Sequence, residues 1–161
     1  MKKLKRLYVL RHGEAEPYGY DVADEQRQLT EFGRQEVSAT AKDFSAKGLV
    51  LDAVMVSPYL RAQQTADIFC DQLGNVPPRD TNALITPYGK AMQIADWLVD
   101  QPFESILLVT HQPFAYELVA YLADAPLPRD FGMTTATLVC LESDDWYMAC
   151  AQYQWFISPS S

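Results

Sequence analysis

Three times along this chain a short apolar run stops at a charged or hydroxyl residue and gives way to a helical pattern. The runs are Leu7 to Leu10, Leu51 to Val56 and Ile106 to Val109, each too short for a helix and of a length that suits a buried strand. The first ends in Arg11-His12-Gly13, the second in Ser57-Pro58 and the third in Thr110-His111. Strands that alternate with helices predict a mostly parallel sheet with helices on both faces and right-handed crossovers. In such sheets the strands' C-terminal edge is where ligands bind, so Arg11, His12 and His111 are expected at one edge. Gly13 would let the chain turn where a side chain would block a ligand. On Arg11-His12-Gly13 alone, a structural histidine held at a turn is equally consistent.

Helix signals fill the intervals. A polar loop from Glu14 to Gln28 precedes Thr30, a plausible N-cap, and Val37, Thr40, Ala41 and Phe44 recur at helical spacing until Gly48. Loops of that length in compact folds are usually functional. Pro58 suits a strand exit or a first helical turn, and the second helix is predicted through Ile68, Phe69 and Leu73 to Gly74. Arg61 then lies in the first turn, where a cation opposes the helix dipole, which favours a ligand role over helix stabilisation. Residues 75–82 form a connection with room for a short edge strand. A third helix carries Met92, Ile94, Ala95, Trp97 and Leu98, and Pro113 opens a fourth through Leu118, Val119 and Leu122. Thr135 to Leu141 and Trp146 to Ile157, around Ser143-Asp144-Asp145, read as a terminal β-hairpin. The expectation is a three-layer α/β/α architecture with a C-terminal β-hairpin, residues 1–161 forming one domain, a natural reading for 161 residues that are 48% hydrophobic.

Composition removes several function classes. A formal net charge of −8 argues against a nucleic-acid partner, since phosphate backbones select basic surfaces. The basic lead-in Lys2-Lys3-Leu4-Lys5-Arg6 is followed by only four apolar residues before Arg11, too few for a secretory core or a membrane span. Cys70, Cys140 and Cys150 show no metal-ligand or C-x-x-C spacing and are expected to be small buried residues of a reduced, cytoplasmic protein. With two histidines, at positions 12 and 111, no metal site and no cofactor are implied.

Two arginines and two histidines converging on a sheet edge suit phosphoryl transfer. Guanidinium forks bind phosphoryl oxygens bidentately and helix N-termini add main-chain donors. One neutral imidazole can attack phosphorus and the other can donate to an equatorial oxygen. Flanked by Arg11 and Arg61, His12 is expected to titrate below the ordinary imidazole value near 6.5.

The blocks that carry this chemistry resemble a known family. Leu10-Arg11-His12-Gly13, Ser57-Pro58-x-x-Arg61-Ala62-x-x-Thr65-Ala66 and Val109-Thr110-His111-Gln112-Pro113 stand in the order, and at the strand-to-helix junctions, of the histidine phosphatase superfamily, whose fold is phosphoglycerate mutase-like. The match covers nearly the whole chain. The Arg27-x-Leu29-Thr30-x-x-Gly33 block, Leu84-x-Thr86-Pro87-x-Gly89 and Met133-Thr134-Thr135 look like the SixA-type bacterial phosphohistidine phosphatases. By that resemblance His12 is the residue transiently phosphorylated, and Arg11, Arg61 and His111 form the phosphate pocket. Arg27 is a further phosphate or substrate contact, or a surface arginine beside the acidic loop. Gln112 and the Thr134-Thr135 turn line the pocket or serve only as turn and hydrogen-bonding residues.

Two departures from the larger superfamily bear on substrate. Many members carry an acidic proton donor in a Leu-x-Glu block, where this chain has Leu84-Ile85-Thr86, and another branch uses His-Asp, where this chain has His111-Gln112. An alkoxide leaves badly without a general acid. An imidazole departs neutral when its other nitrogen already carries a proton, so the missing acid points to a P–N bond. The expected activity is hydrolysis of phosphohistidine on a protein, either a phosphorelay histidine-phosphotransfer domain or a phosphotransferase-system carrier, by a monomer. Two alternatives stay open. One is a small-molecule phosphomonoesterase with Glu14, Glu16, Asp21 or Glu25 as proton donor, and the other is a non-catalytic module that recognises a phosphoprotein. An open pocket rimmed by the 14–28 loop and by Tyr59 or Tyr88 is expected, because the connections after Ser57 and Thr110 are too short to form a lid.

Overall fold

Successive residues of a strand face opposite sides of its sheet, and the first strand, β1 (Lys5–Arg11), uses both sides for burial. Leu7 and Val9 join one apolar cluster with Ile106, Leu108, Ile94, Leu98, Phe114 and Leu118. Tyr8 and Leu10 join a second with Leu107, Val109, Val37, Phe44, Ala62 and Phe69. A strand apolar on both faces has to lie between two layers of helices. The computed structural model describes residues 3–19 and 21–159, so Lys2 of the basic lead-in lies outside the described residues.

The remaining elements are α1 (Glu31–Ala46), β2 (Ala53–Val56), α2 (Leu60–Asp71), β3 (Arg79–Thr81), α3 (Ala91–Val99), β4 (Ser105–Thr110), α4 (Phe114–Leu122), β5 (Leu138–Ser143) and β6 (Gln152–Ile157). The six strands form one sheet in the order β3-β2-β4-β1-β5-β6. β2 pairs in parallel with β3 and β4, and β4 with β1, while β5 runs antiparallel between β1 and β6. The fold is therefore α/β with a mostly parallel sheet, α1 and α2 on one face, α3 and α4 on the other, and a C-terminal strand pair. Thr30 caps α1, its hydroxyl accepting from the Gly33 N–H at 2.9 Å. Gly48 follows the helix in the left-handed region, at φ 68°.

Several expected boundaries move. The C-terminal hairpin is wider than its apolar pattern implied, because residues 146–151 dock on the end of α4 instead of pairing as a strand. Trp146 is buried in the core, the Ala149 N–H donates to the Tyr121 carbonyl and the Ala151 N–H to that of Leu122. The first strand of the pair begins at Leu138 and not at Thr135, since Ala136 turns the chain at φ 57° and donates its N–H to the carbonyls of Arg11 and His12. α2 stops at Asp71, before Leu73, in a turn closed by the Gln72 and Leu73 amides. Pro58 and Pro113 precede their helices. Of the cysteines only Cys140 is buried; Cys70 is half-buried and Cys150 exposed.

Gly13 has a different purpose from the one expected. A Cβ there would lie 2.5 Å from the Gly33 carbonyl oxygen and 2.9 Å from a Val37 methyl, and a Cβ on Gly33 would lie 2.1 Å from the Glu14 carbonyl oxygen. The two glycines let the first turn of α1 press backbone to backbone against the segment after β1, so the space is filled by a helix. Gly33→Ala should destabilise the fold by about 1–3 kcal/mol, the usual cost of forcing atoms into a packed contact. Gly74→Ala, where a Cβ meets nothing within 4 Å, should cost nothing. Urea unfolding of both variants, read from the midpoint at unchanged slope, checks this.

Candidate active site

Three parallel strands end in register, and one residue past each end stands a polar side chain: His12 after β1, Ser57 after β2 and His111 after β4. Backbone pairing extends that far, the His12 N–H donating to the Thr110 carbonyl and the Ser57 N–H to the Val109 carbonyl, both at 3.0 Å. The His12 and His111 rings stand edge to face with centroids 5.1 Å apart. Arg61, in the first turn of α2, turns back over this edge.

His12 is 7% exposed and Arg61 and His111 are more buried still. The Nδ1 of His12 lies 2.6 Å from the Gly13 carbonyl, and since a carbonyl only accepts, Nδ1 carries the proton. The lone pair is then on Nε2, which accepts from Arg61 Nε at 3.3 Å. Arg11 donates to the Met133 carbonyl at 3.0 Å, which leaves its Nε buried without a partner. His111 Nε2 lies 2.7 Å from Ser57 Oγ, and its Nδ1 is likewise buried and unpartnered. Arg11, His12 and Arg61 line a cavity of about 380 Å³ together with Arg27, Asp24, Glu14, Tyr88 and others, and His111 stands against His12 without itself lining it.

The expected residues Arg11, His12, Arg61 and His111 thus gather at one place, and Arg27 joins them. Its side chain is only 13% exposed; it donates to Asp24 at 2.8 Å and to the Glu16 carbonyl at 2.6 Å, and stacks 4.2 Å over the Tyr18 ring. It is no free surface arginine. Gln112 and Thr135 line the cavity; Thr134 instead bonds Thr137. Tyr59 is not a rim residue: it is buried, packing its ring 5.0 Å from that of His111. Tyr88 and Tyr18, 76% and 77% exposed, are the open rings at the mouth.

Asp24 is the residue that sequence reasoning passed over. Its carboxylate accepts from Arg27 and from Arg61 (3.4 Å), and its carbonyl accepts from Arg61 at 2.7 Å. Of the four loop carboxylates proposed as acids, only Glu14 lines the cavity, and it accepts from the Thr30 hydroxyl at 2.8 Å. The loop held several interchangeable acids, and nothing in its pattern marked the one that the 3-10 turn over Asp24–Gln26 aims at two arginines.

Charge at the site is one-sided. Burial, against an opposing pull from the Gly13 carbonyl and with smaller additions from Arg61, Arg11 and Arg27, takes His12 down to about 3. The main cause is therefore burial, and the flanking arginines that the sequence pointed to add less. Burial takes His111 down to about 2, with His12 and the arginines adding to it. Burial would raise Asp24, but the Arg27 hydrogen bond and the charges of Arg61 and Arg27 outweigh it and hold the carboxyl below its ordinary value. At neutral pH the edge presents two neutral imidazoles, three guanidinium groups and the Asp24 carboxylate, with Glu14 also on the cavity wall. That set can bind a dianionic phosphoryl group and offer it a nitrogen lone pair. Among the described residues no group of three or more His, Cys, Asp or Glu is placed to hold a metal ion.

Both depressed histidines lower stability in acid. Above the unfolded value near 6.5 neither state binds their protons, and no pH dependence arises. Below it the unfolded chain takes up two protons that the fold refuses, so stability falls with pH until about 3, by up to about 1.4 kcal/mol per pH unit for each histidine. The double variant His12→Asn/His111→Asn should flatten the slope of unfolding free energy between pH 6 and 4.5, measured by urea titration at each pH.

Comparison with known proteins places the chain in a family. A family model of the histidine phosphatase superfamily (branch 1) matches residues 7–91. The phosphohistidine phosphatase SixA of Escherichia coli is 28% identical over 158 residues, 96% of this chain and 94% of that protein. A SixA homolog of Haemophilus influenzae is 33% identical over 137 residues, 78% of this chain and 81% of that protein. A solved structure of the protein histidine phosphatase SixA complexed with tungstate superposes with a TM-score of 0.83 at 27% identity, covering 96% of this chain and 97% of that one. By the family model over residues 7–91 and the 33% identity to the Haemophilus influenzae protein, the chain belongs to the histidine phosphatase superfamily, branch 1.

Proposed function

We propose that this chain is a protein phosphohistidine phosphatase that works through a covalent phosphohistidine intermediate on His12. The observation that carries the reading is how the two carboxyl groups at the cavity are engaged: Glu14 accepts from the Thr30 hydroxyl at 2.8 Å, and Asp24 is bound by arginines. Asp24, the acid that reaches the arginines, is held ionised by Arg27 and Arg61, so it has no proton to give an alkoxide. An ester would leave poorly from such a site. A phosphoimidazole needs no such acid, because its ring departs neutral when the second nitrogen is protonated. The SixA proteins to which the chain is similar bear the name phosphohistidine phosphatase, which supports the same reading.

In the first step His12 Nε2 attacks phosphorus, the substrate's P–N bond breaks, and that imidazole leaves neutral. Arg11, Arg27, Arg61 and His111 hold the transferring oxygens. Phosphorylated on Nε2 with Nδ1–H on the Gly13 carbonyl, His12 is an imidazolium and so a good leaving group. Water then attacks phosphorus, the new P–N bond breaks, inorganic phosphate departs as dihydrogen phosphate carrying both of the water's protons, and neutral His12 is restored. No proton donor of low pKa is required at either step.

The cavity suits a phosphorylated side chain held out by another protein. Its mouth lies between two exposed tyrosines, Tyr18 and Tyr88, and α2 and α4 begin within a few residues of β2 and β4, which leaves no length for a lid. A folded partner can supply contact area that a free amino acid lacks. A histidine-phosphotransfer domain or a phosphotransferase-system carrier in the cytoplasm has that form, and free thiols are at home there.

The test is a comparison of kcat/KM on a phosphohistidine protein, free phosphohistidine, a phosphoserine peptide and a sugar phosphate. The protein should exceed free phosphohistidine by at least about a hundredfold, some 2.7 kcal/mol of transition-state binding, and the esters should be poorer still. His12→Ala should be folded and inactive. Arg61→Ala and His111→Ala should each lose at least about a hundredfold. Preference for the sugar phosphate would replace this reading with that of a small-molecule esterase.

A further inference from the structure

The second histidine has a tautomer, and the hydroxyl beside it decides which. Ser57 Oγ is fully buried and makes two contacts. It accepts from the Tyr59 N–H at 3.3 Å and lies 2.7 Å from His111 Nε2. A serine hydroxyl has one proton and must place it on an acceptor when no water reaches it. The Tyr59 amide is a donor, so among the described contacts His111 Nε2 is the acceptor within reach. If the ring instead donated from Nε2, the Ser57 proton would be buried with nowhere to go, at a cost of about 1–3 kcal/mol.

We infer that Ser57 is a positioning residue for the phosphoryl-transfer site: its hydroxyl donates to His111 Nε2 and so fixes the proton of the neutral ring on Nδ1, where it is presented to the phosphoryl oxygens. The inference rests on the reading of this edge as a phosphoryl site. His111 Nδ1 and Arg11 Nε, both buried and both without a partner in the protein, then become two N–H donors beside His12 whose acceptors come with the ligand. In the other tautomer Nδ1 would be a lone pair facing an anion, repelling the group that the site has to hold. A proton placed by the fold before substrate arrives costs no reorganisation in the transition state. The same logic governs His12, with the Gly13 carbonyl as acceptor and the lone pair on Nε2. The two imidazoles thus carry their protons on the same ring position for opposite ends, one freeing a nucleophile and the other making a donor.

With two histidines in the chain, long-range 1H–15N correlation on protein labelled with 15N-histidine reads both tautomers directly at pH 7.5, and His12→Asn assigns them. His111 should show a protonated Nδ1 and an unprotonated Nε2 in the resting enzyme, without substrate. Adding inorganic vanadate should move the His111 Nδ1 resonances. Ser57→Ala should shift His111 toward the Nε2–H form and lower kcat by at least about tenfold. A resting enzyme with Nε2–H on His111 overturns the inference, as does a Ser57→Ala protein that keeps the wild-type tautomer or a His111 Nδ1 indifferent to bound vanadate. Because the tautomer is read without substrate and vanadate reports only on oxyanion binding, any of these results leaves the phosphohistidine reading to its own test.

Discussion

Parallel pairing of β1 with β4 continues one residue beyond the end of β1, through the bond from the His12 N–H to the carbonyl of Thr110, the last residue of β4, and this extension sets the spacing of the two histidines. A strand pair fixes its side chains by register, so His12 and His111 stand side by side because Arg11 is opposite Thr110. β2 joins on the far side of β4, with Val56 opposite Val109, and adds Ser57. Backbone ladders buried between two apolar clusters are among the stiffest parts of a protein. His12 Nε2, the nitrogen proposed to react, therefore rests on rigid strand ends, and only the 14–28 loop and the tyrosines of the mouth remain to adjust to a partner.

Other contacts close the cage around that ladder. Ala136 donates its N–H to the carbonyls of both Arg11 and His12, and Arg11 in turn reaches the Met133 carbonyl, so the turn before β5 holds the backbone of β1's last residues. Gly13 and Gly33 bring α1 into contact from the other side. His12 is buried between these layers and loses its affinity for a proton for that reason first. Burial that would be a cost in a structural histidine suits the proposed nucleophile, since only a neutral imidazole has a lone pair with which to attack.

Much of this was legible in the chain itself. The three apolar runs, the Thr30 cap, the Gly48 stop and the convergence of Arg11, His12, Arg61 and His111 follow from periodicity and from where strand patterns end. What could not be read has a common cause: it depends on contacts between segments distant in sequence. Trp146 and its neighbours have the composition of a strand but find the end of α4 first. Tyr59 was indistinguishable from Tyr88 as a rim residue until the packing of the former on His111 was seen. Asp24 sat among equivalent acids, and only the turn that carries it selects it over Asp21 or Glu25. The purpose of Gly13 needed a partner glycine twenty residues away.

The central claim is that His12 Nε2 takes the phosphoryl group, and trapping the phosphoenzyme tests it most directly. Enzyme mixed with a 32P-labelled phosphohistidine protein and quenched within milliseconds should yield a labelled chain that is stable in base and labile in acid. Peptide mapping should place the label on the segment containing His12, with phosphorus on Nε2 by 31P–1H correlation. A label on His111, a label on a serine or carboxylate, or rapid turnover with no phosphoenzyme and full activity in His12→Ala would contradict the account.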